Sequence, residues 1–325
     1  MSARATGLGS MPGEDVVEAT RVVLGELPDL PHLPELPARG AIAGMAGRAV
    51  ALAGELGFDL QPAGWRLTDA SGVDQRRARS LLAQDLDVVE EQAQGYEGPF
   101  KVQVAGPWTL AATVEKPRGD KVLADVGARR DLAQALAAGI AEHLADVRRR
   151  VPGASLVLQV DEPALPAVLA GAIPTASGFH RHRSVDLPMA SQALEWVLAA
   201  TDGVTSAVHC CAADVPVGLL RGAGADAISV DLGVLAAGAY DELATVLDQG
   251  GQAWLGVVPT TGSHPPTTRA ALDRARRLLD MLGYDPGEVA DQVVLTPACG
   301  LAGATPAYAR QALTSVREAA AELHA

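Results

Sequence analysis

The chain has 325 residues, 48% of them hydrophobic, enough to bury a full core and to form either one large α/β barrel or two medium domains. A net charge of −13, with lysine only at Lys101, Lys116 and Lys121, leaves no basic stripe and excludes nucleic acid as a partner. No uncharged apolar run reaches the ~18 residues of a membrane span, and the start MSARATGLGS lacks the apolar core of a signal peptide; the expectation is a soluble, cytoplasmic protein with no membrane partner.

In chain order, the first expected β units are weak: ATGLGSMPG (5–13), and PDLPHLPELPARG (28–40), whose prolines suit a loop or an irregular strand end. Clear strands follow at 101–106 and 155–163, with a helix at 127–150 between them. Further strands at 206–212, 226–232, 253–259 and 292–300 alternate with helices at 189–201, 214–222, 240–249 and 267–282. Counting the two weak units gives eight. This alternation is the pattern of βα units around a parallel sheet, and eight such units predict a single (β/α)₈ TIM barrel over residues 1–325 rather than a doubly wound sheet. No Gly-x-Gly-x-x-Gly follows the first strand and no Gly-x4-Gly-Lys-Ser/Thr occurs, so nucleotide-phosphate cradles lack sequence support.

The unusual polar residues fall at the carboxyl ends of expected strands, where barrels build their active sites. They are Asp161 and Glu162, His209 to Cys211, Asp231 and Cys299. Three cysteines, two of them adjacent, make a poor disulfide framework and are better read as ligands, nucleophiles or core. Side chains alternate along a strand, so His209 and Cys211 share a face while Cys210 points away into packing. Imidazole plus two thiolates is a zinc donor set, and three protein ligands leave one position for a substrate. His209, Cys211 and Cys299 are therefore the candidate zinc ligands, with Asp231 as a candidate fourth.

Other polar groups carry a bland and a functional reading side by side. Asp161-Glu162-Pro163 suits a carboxylate capping the following helix, whereas position favours a functional Asp161. Gly7, Gly9 and Ser10 suit a turn, or a set of exposed N–H groups that hold a substrate carboxylate. His264, in TTGSHPP, is an exposed loop histidine or an acid/base group on a mobile loop.

Six segments resemble, in order, the cobalamin-independent methionine synthase family, in a short form corresponding to its catalytic C-terminal barrel within the wider uroporphyrinogen-decarboxylase-like group. They are GLGSMP (7–12), VAGPWTL (104–110), LQVDEPAL (158–165), VHCCA (208–212), AISVDL (227–232) and TPACGL (296–301). The resemblance implies Zn2+ bound by His209, Cys211 and Cys299. The family usually has Glu where this chain has Asp231, one methylene shorter. It also implies that Asp161 meets the homocysteine ammonium and that the backbone of Leu8, Gly9 and Ser10 holds its carboxylate. Glu35 is the candidate for a further family carboxylate, and Ser263-His264-Pro265 echoes a family His-Ser-Pro loop.

The expected activity is methyl transfer to homocysteine, forming methionine, from methyltetrahydrofolate or a methyl-corrinoid, free or protein-bound. The long family members carry an additional N-terminal half that helps to hold polyglutamylated folate, and its absence here leaves the donor open. Alternatives are a corrinoid-dependent methyltransferase for another thiol, porphyrin decarboxylation on the same barrel, and a catalytically degenerate zinc-binding homologue.

Overall fold

The protein is described by a computed structural model covering residues 4–201, 203–262 and 264–323, so Ser263 of the expected His-Ser-Pro echo lies outside the described residues. In chain order, β1 (Arg4–Ala5) precedes α1 (Val16–Glu26) and α2 (Met45–Leu52), and a hairpin of β2 (Gly57–Gln61) and β3 (Gly64–Thr68) leads into α3 (Val73–Gln92). There follow β4 (Gly98–Ala105), α4 (Pro107–Thr113), α5 (Val126–Arg150), β5 (Ala154–Asp161), α6 (Leu165–Leu169), α7 (Leu187–Ala199) and β6 (Thr205–Cys210). The remainder is α8 (Val217–Gly222), β7 (Ala227–Asp231), α9 (Gly238–Asp248), β8 (Gln252–Val258), α10 (Thr268–Leu282), β9 (Val293–Pro297) and α11 (Pro306–Glu322).

β4 to β9 lie side by side in sequence order, and β1 pairs with β9, giving a curled, all-parallel sheet of seven strands of the TIM-like α/β type. Helical crossovers between successive strands produce this neighbour order. Both faces of the sheet are covered, which is why β4 to β9 read as nearly continuous apolar runs. The outer face packs against the helices. Inside, Leu30, Val157, Ala207, Ala227, Trp254 and Val294 form a separate apolar cluster.

The proline-rich segment bonds the edge strand β4 on one side and the loop that follows β1 on the other. On one side Lys101 N–H donates to the Pro31 carbonyl (2.9 Å) and Leu33 N–H to the Lys101 carbonyl (2.8 Å). On the other side Glu35 N–H donates to the Gly9 carbonyl (3.0 Å) and Met11 N–H to the Glu35 carbonyl (2.8 Å). Its prolines lack donors, so pairing is confined to alternate residues and yields isolated bridges rather than a ladder. The stretch 5–13 is likewise mostly loop: strand pairing stops at Ala5, and one further bond runs from Thr6 N–H to the Leu295 carbonyl. The hairpin and α3 lie in a region where the sequence reading placed no element. The buried face of α3 recurs at Ala78, Leu82, Leu86 and Val89, a helical spacing.

Candidate active site at the carboxyl ends of the strands

Above the apolar plug the interior turns polar. His32, Lys101, Gln103, Gln159, His209, Ser229 and Thr296 are all buried there. His209 lies next to the end of β6, and its Nδ1 is 2.9 Å from Ser229 Oγ on the adjacent strand β7. Its other ring nitrogen, Nε2, is buried and has no hydrogen-bond partner among the described residues. Cys211 follows β6, Cys299 lies in the loop after β9, and their sulfurs are 3.3 Å apart. One donor atom from each of His209, Cys211 and Cys299 lies within 4.8 Å of the others. An orphaned buried imidazole nitrogen facing two thiols is a donor set that suits zinc, and a hydrogen bond to the far ring nitrogen fixes such a ligand's tautomer.

The two thiols share a proton unequally. Cys299 donates to Cys211, which holds the Cys211 thiol below its ordinary range and, with burial, pushes Cys299 well above it. Cys210 faces the opposite way into the core, where burial raises its pKa to about 12.

Asp231 is not in the three-residue cluster. Its Oδ1 accepts from Gly233 N–H at 2.7 Å, closing the turn after β7. Asp161, at the end of β5, is buried, and its Oδ1 accepts from Gln159 Nε2 at 2.7 Å. Burial raises its pKa to about 6 against the opposing pull of His209. Glu35 is also buried; its Oε1 accepts from Gln103 Nε2 (3.0 Å) and Arg48 Nε (3.2 Å).

The Leu8 carbonyl accepts from Gln159 Nε2 at 3.1 Å, while the N–H groups of Leu8, Gly9 and Ser10 donate to nothing among the described residues. Gly9 has φ +118°, and a Cβ there would strike Gln103, so only glycine serves. Gly300 is needed for a different reason, because a Cβ there would collide with Ser10 Oγ. That contact seats the Gly9-Ser10 turn beside Cys299. His264 is exposed in the loop after β8, beside a cavity of about 290 Å³ lined also by Pro259, Thr261 and Tyr308.

The helix-capping reading of the Asp161-Glu162 pair falls on Glu162. Its carboxylate accepts from Trp108 N–H (2.9 Å) and Thr109 N–H (2.8 Å), capping α4, the helix after the neighbouring strand, rather than the one that follows it in sequence. Sequence reasoning missed Lys101, Gln103, Gln159, Arg48 and Ser229. Four of these carry a recoverable signal, since they are polar residues at every second position of otherwise apolar strands.

A curled parallel α/β sheet with a thiol and imidazole cluster at its carboxyl ends defines a TIM-like protein with a candidate metal site. The family follows from comparison: residues 97–322 match the model of the cobalamin-independent synthase catalytic domain, and the chain belongs to that family. Membership supports an enzyme of the methyltransferase type. A search of curated proteins finds no match. Among solved structures, the chain is similar to a B12-independent methionine synthase from Shewanella sp. W3-18-1 in complex with selenomethionine. That similarity has a TM-score of 0.64 and 14% identity, covering 98% of this chain and 97% of that one. A xylanase from Cellvibrio japonicus with xylopentaose aligns with a TM-score of 0.48 and 12% identity over 99% of this chain and 68% of that one. Among the described residues no helix is long and apolar enough to cross a membrane.

Proposed function

We propose that this chain is a cytoplasmic zinc-dependent methyltransferase that methylates the thiol of homocysteine to give methionine, on a barrel whose eighth stave is the proline-rich segment 28–40. The observation that carries the proposal is the meeting of His209, Cys211 and Cys299 beside the half-held carboxylates of Asp161 and Glu35, in a member of the synthase family. His209 Nε2 and the two sulfurs would hold the metal, with Ser229 fixing the imidazole from behind. Asp231 stands outside this cluster, its Oδ1 accepting from Gly233 N–H, and the acceptor thiol would complete the donor set. When bound, zinc holds the acceptor thiol in its deprotonated, nucleophilic form at neutral pH, where a free thiol with pKa near ~8.5 is mostly protonated.

The protein supplies placement. Asp161 and Glu35 accept from the acceptor's ammonium, and the unpaired N–H groups of Leu8, Gly9 and Ser10 bind its carboxylate. The sulfur is thereby held for in-line attack at ~3–3.5 Å from the donor's methyl carbon. The new S–C bond forms as the methyl's bond to the donor breaks, and the electron pair leaves with the donor. If the donor is methyltetrahydrofolate, its nitrogen needs a proton, and His264 is the group in the loop after β8 that delivers it. A methyl-corrinoid keeps the pair on cobalt and needs no acid.

The deciding experiment offers homocysteine to zinc-loaded protein with methyltetrahydrofolate, its polyglutamate and methylcobalamin in parallel, and measures methionine. Formation from one donor, lost after chelation and restored by zinc, is the expected result. Absence of product with every donor sinks the proposal. Transfer to other thiols but not to homocysteine would instead favour the corrinoid-dependent reading.

A further inference from the structure

Two buried glutamines face one another across the β4–β5 pair, with Gln103 in register with Gln159. Each uses its amide nitrogen twice. Gln103 Nε2 donates to the Leu33 carbonyl at 2.7 Å and to Glu35 Oε1 at 3.0 Å. Gln159 Nε2 donates to the Leu8 carbonyl at 3.1 Å and to Asp161 Oδ1 at 2.7 Å. Both amides therefore join a backbone carbonyl of the N-terminal segments to one oxygen of a carboxylate at the mouth.

The amide orientations follow from chemistry. A carbonyl and a carboxylate only accept, so the side facing them must be NH₂. For Gln103 the other side agrees, because its Oε1 accepts from Lys101 Nζ at 3.2 Å. Gln159 Oε1 is buried and accepts from no described group, an unusual arrangement that ordinary packing would not favour.

The second oxygens of the two carboxylates behave differently from the first. Glu35 Oε2 and Asp161 Oδ2 accept from no described group, yet neither is among the sealed, partnerless atoms of the interior. Each carboxylate is thus pinned through one oxygen, Glu35 Oε1 by Arg48 Nε as well as by Gln103, with the other left open.

We propose that Gln103 and Gln159 are positioning residues for acceptor recognition: by tying one oxygen of each carboxylate they turn the other toward an α-ammonium, and so set a preference for thiols that carry one. The inference rests on the homocysteine reading above and adds to it the residues that make the acceptor site selective. An ammonium has three N–H donors and needs acceptors already in place, whereas a thiol acid without the amino group gains nothing from them.

The test compares homocysteine with 4-mercaptobutyrate, the same thiol acid without its ammonium, in wild type, Gln103→Leu and Gln159→Leu. Leucine keeps the bulk and removes the N–H. Wild type should prefer homocysteine. Each variant should raise the KM for homocysteine about tenfold, the scale of one charge-assisted hydrogen bond, with kcat and the KM for methyl donor far less affected. The preference over 4-mercaptobutyrate should fall by the same factor. Gln159→Leu removes one unpaired buried acceptor but leaves the Leu8 carbonyl and Asp161 Oδ1 without their donor, so its thermal midpoint should fall modestly while the protein still folds. If a leucine variant does not fold, Gln→Met at the same position gives the same readout.

Folded, zinc-replete variants that keep the wild-type preference would overturn the proposal, as would equal losses toward both acceptors. Wild-type protein with no preference for homocysteine would instead overturn the acceptor reading beneath it.

Discussion

Lys101 occupies an inward position on β4, wholly buried, and donates to Gln103. Burial lowers its pKa to about 7, although the negative charges of Asp161 and Glu35 oppose the shift. The unfolded chain holds that proton up to the ordinary lysine value near ~10.4, so between pH 7 and ~10 the unfolded state binds more protons than the folded one. Stability contributed through Lys101 therefore rises with pH across that window. Lys101→Met should remove this rise. Urea midpoints at pH 7 and pH 9 would show it as a smaller alkaline gain than in wild type, and identical gains would count against a buried, readily deprotonated lysine. Alternation along β6 places His209 and Cys211 together and sends Cys210 into the core, because strand geometry alone decides it. Whether Asp231 faces Cys211 or the N–H of Gly233 depends on the path of the loop after the strand, which no periodicity encodes.

The segment 28–40 is held in place by side chains from two helices. Glu35 bonds Arg48 on α2, Arg48 NH1 bonds Asp85 on α3 at 2.9 Å, and both terminal nitrogens of Arg39 bond Asp85 at 2.7 Å. Asp85 is fully buried and Arg48 nearly so. Asp85→Ala would leave Arg48 buried without its carboxylate partner and should cost about 3–5 kcal/mol, the penalty for breaking a buried ion pair. Equilibrium urea unfolding measures that loss. A change under about 1 kcal/mol, typical of exposed pairs, would mean that the chain of ions is not buried in solution. The strands from β4 to β9 are legible because both of their faces are buried and most of their residues apolar. The proline-rich segment is legible only as an irregular β unit, since its pairing partners are Lys101, Gly9 and Met11, distant in the chain. The hairpin and α3 are not legible from the alternation of strand and helix, because an antiparallel pair interrupts it there.

Across the molecule, the proposed ligands join parts of the chain that the sheet itself holds apart. β7 and β8 lie between β6, which carries His209 and leads to Cys211, and β9, which leads to Cys299. A metal bound by all three residues would therefore tie the loop after β9 to the end of β6 across the mouth. An ion that binds only the folded chain adds stability by mass action, about 4 kcal/mol at a free concentration roughly 1,000 times its dissociation constant. Chelation should then lower the melting temperature of the wild-type protein. It should leave Cys299→Ser nearly unchanged, since that variant loses a ligand and starts from the metal-poor state. Cys210→Ser is the matched control: it lies outside the donor cluster and should keep the chelator-sensitive component of melting, even if the polar hydroxyl costs some core stability. Calorimetric melting of the three proteins, with and without chelator and with metal content measured alongside, separates these outcomes. A wild-type protein from which the chelator removes bound zinc without any shift in melting would show that the metal does not fasten the carboxyl end of the sheet.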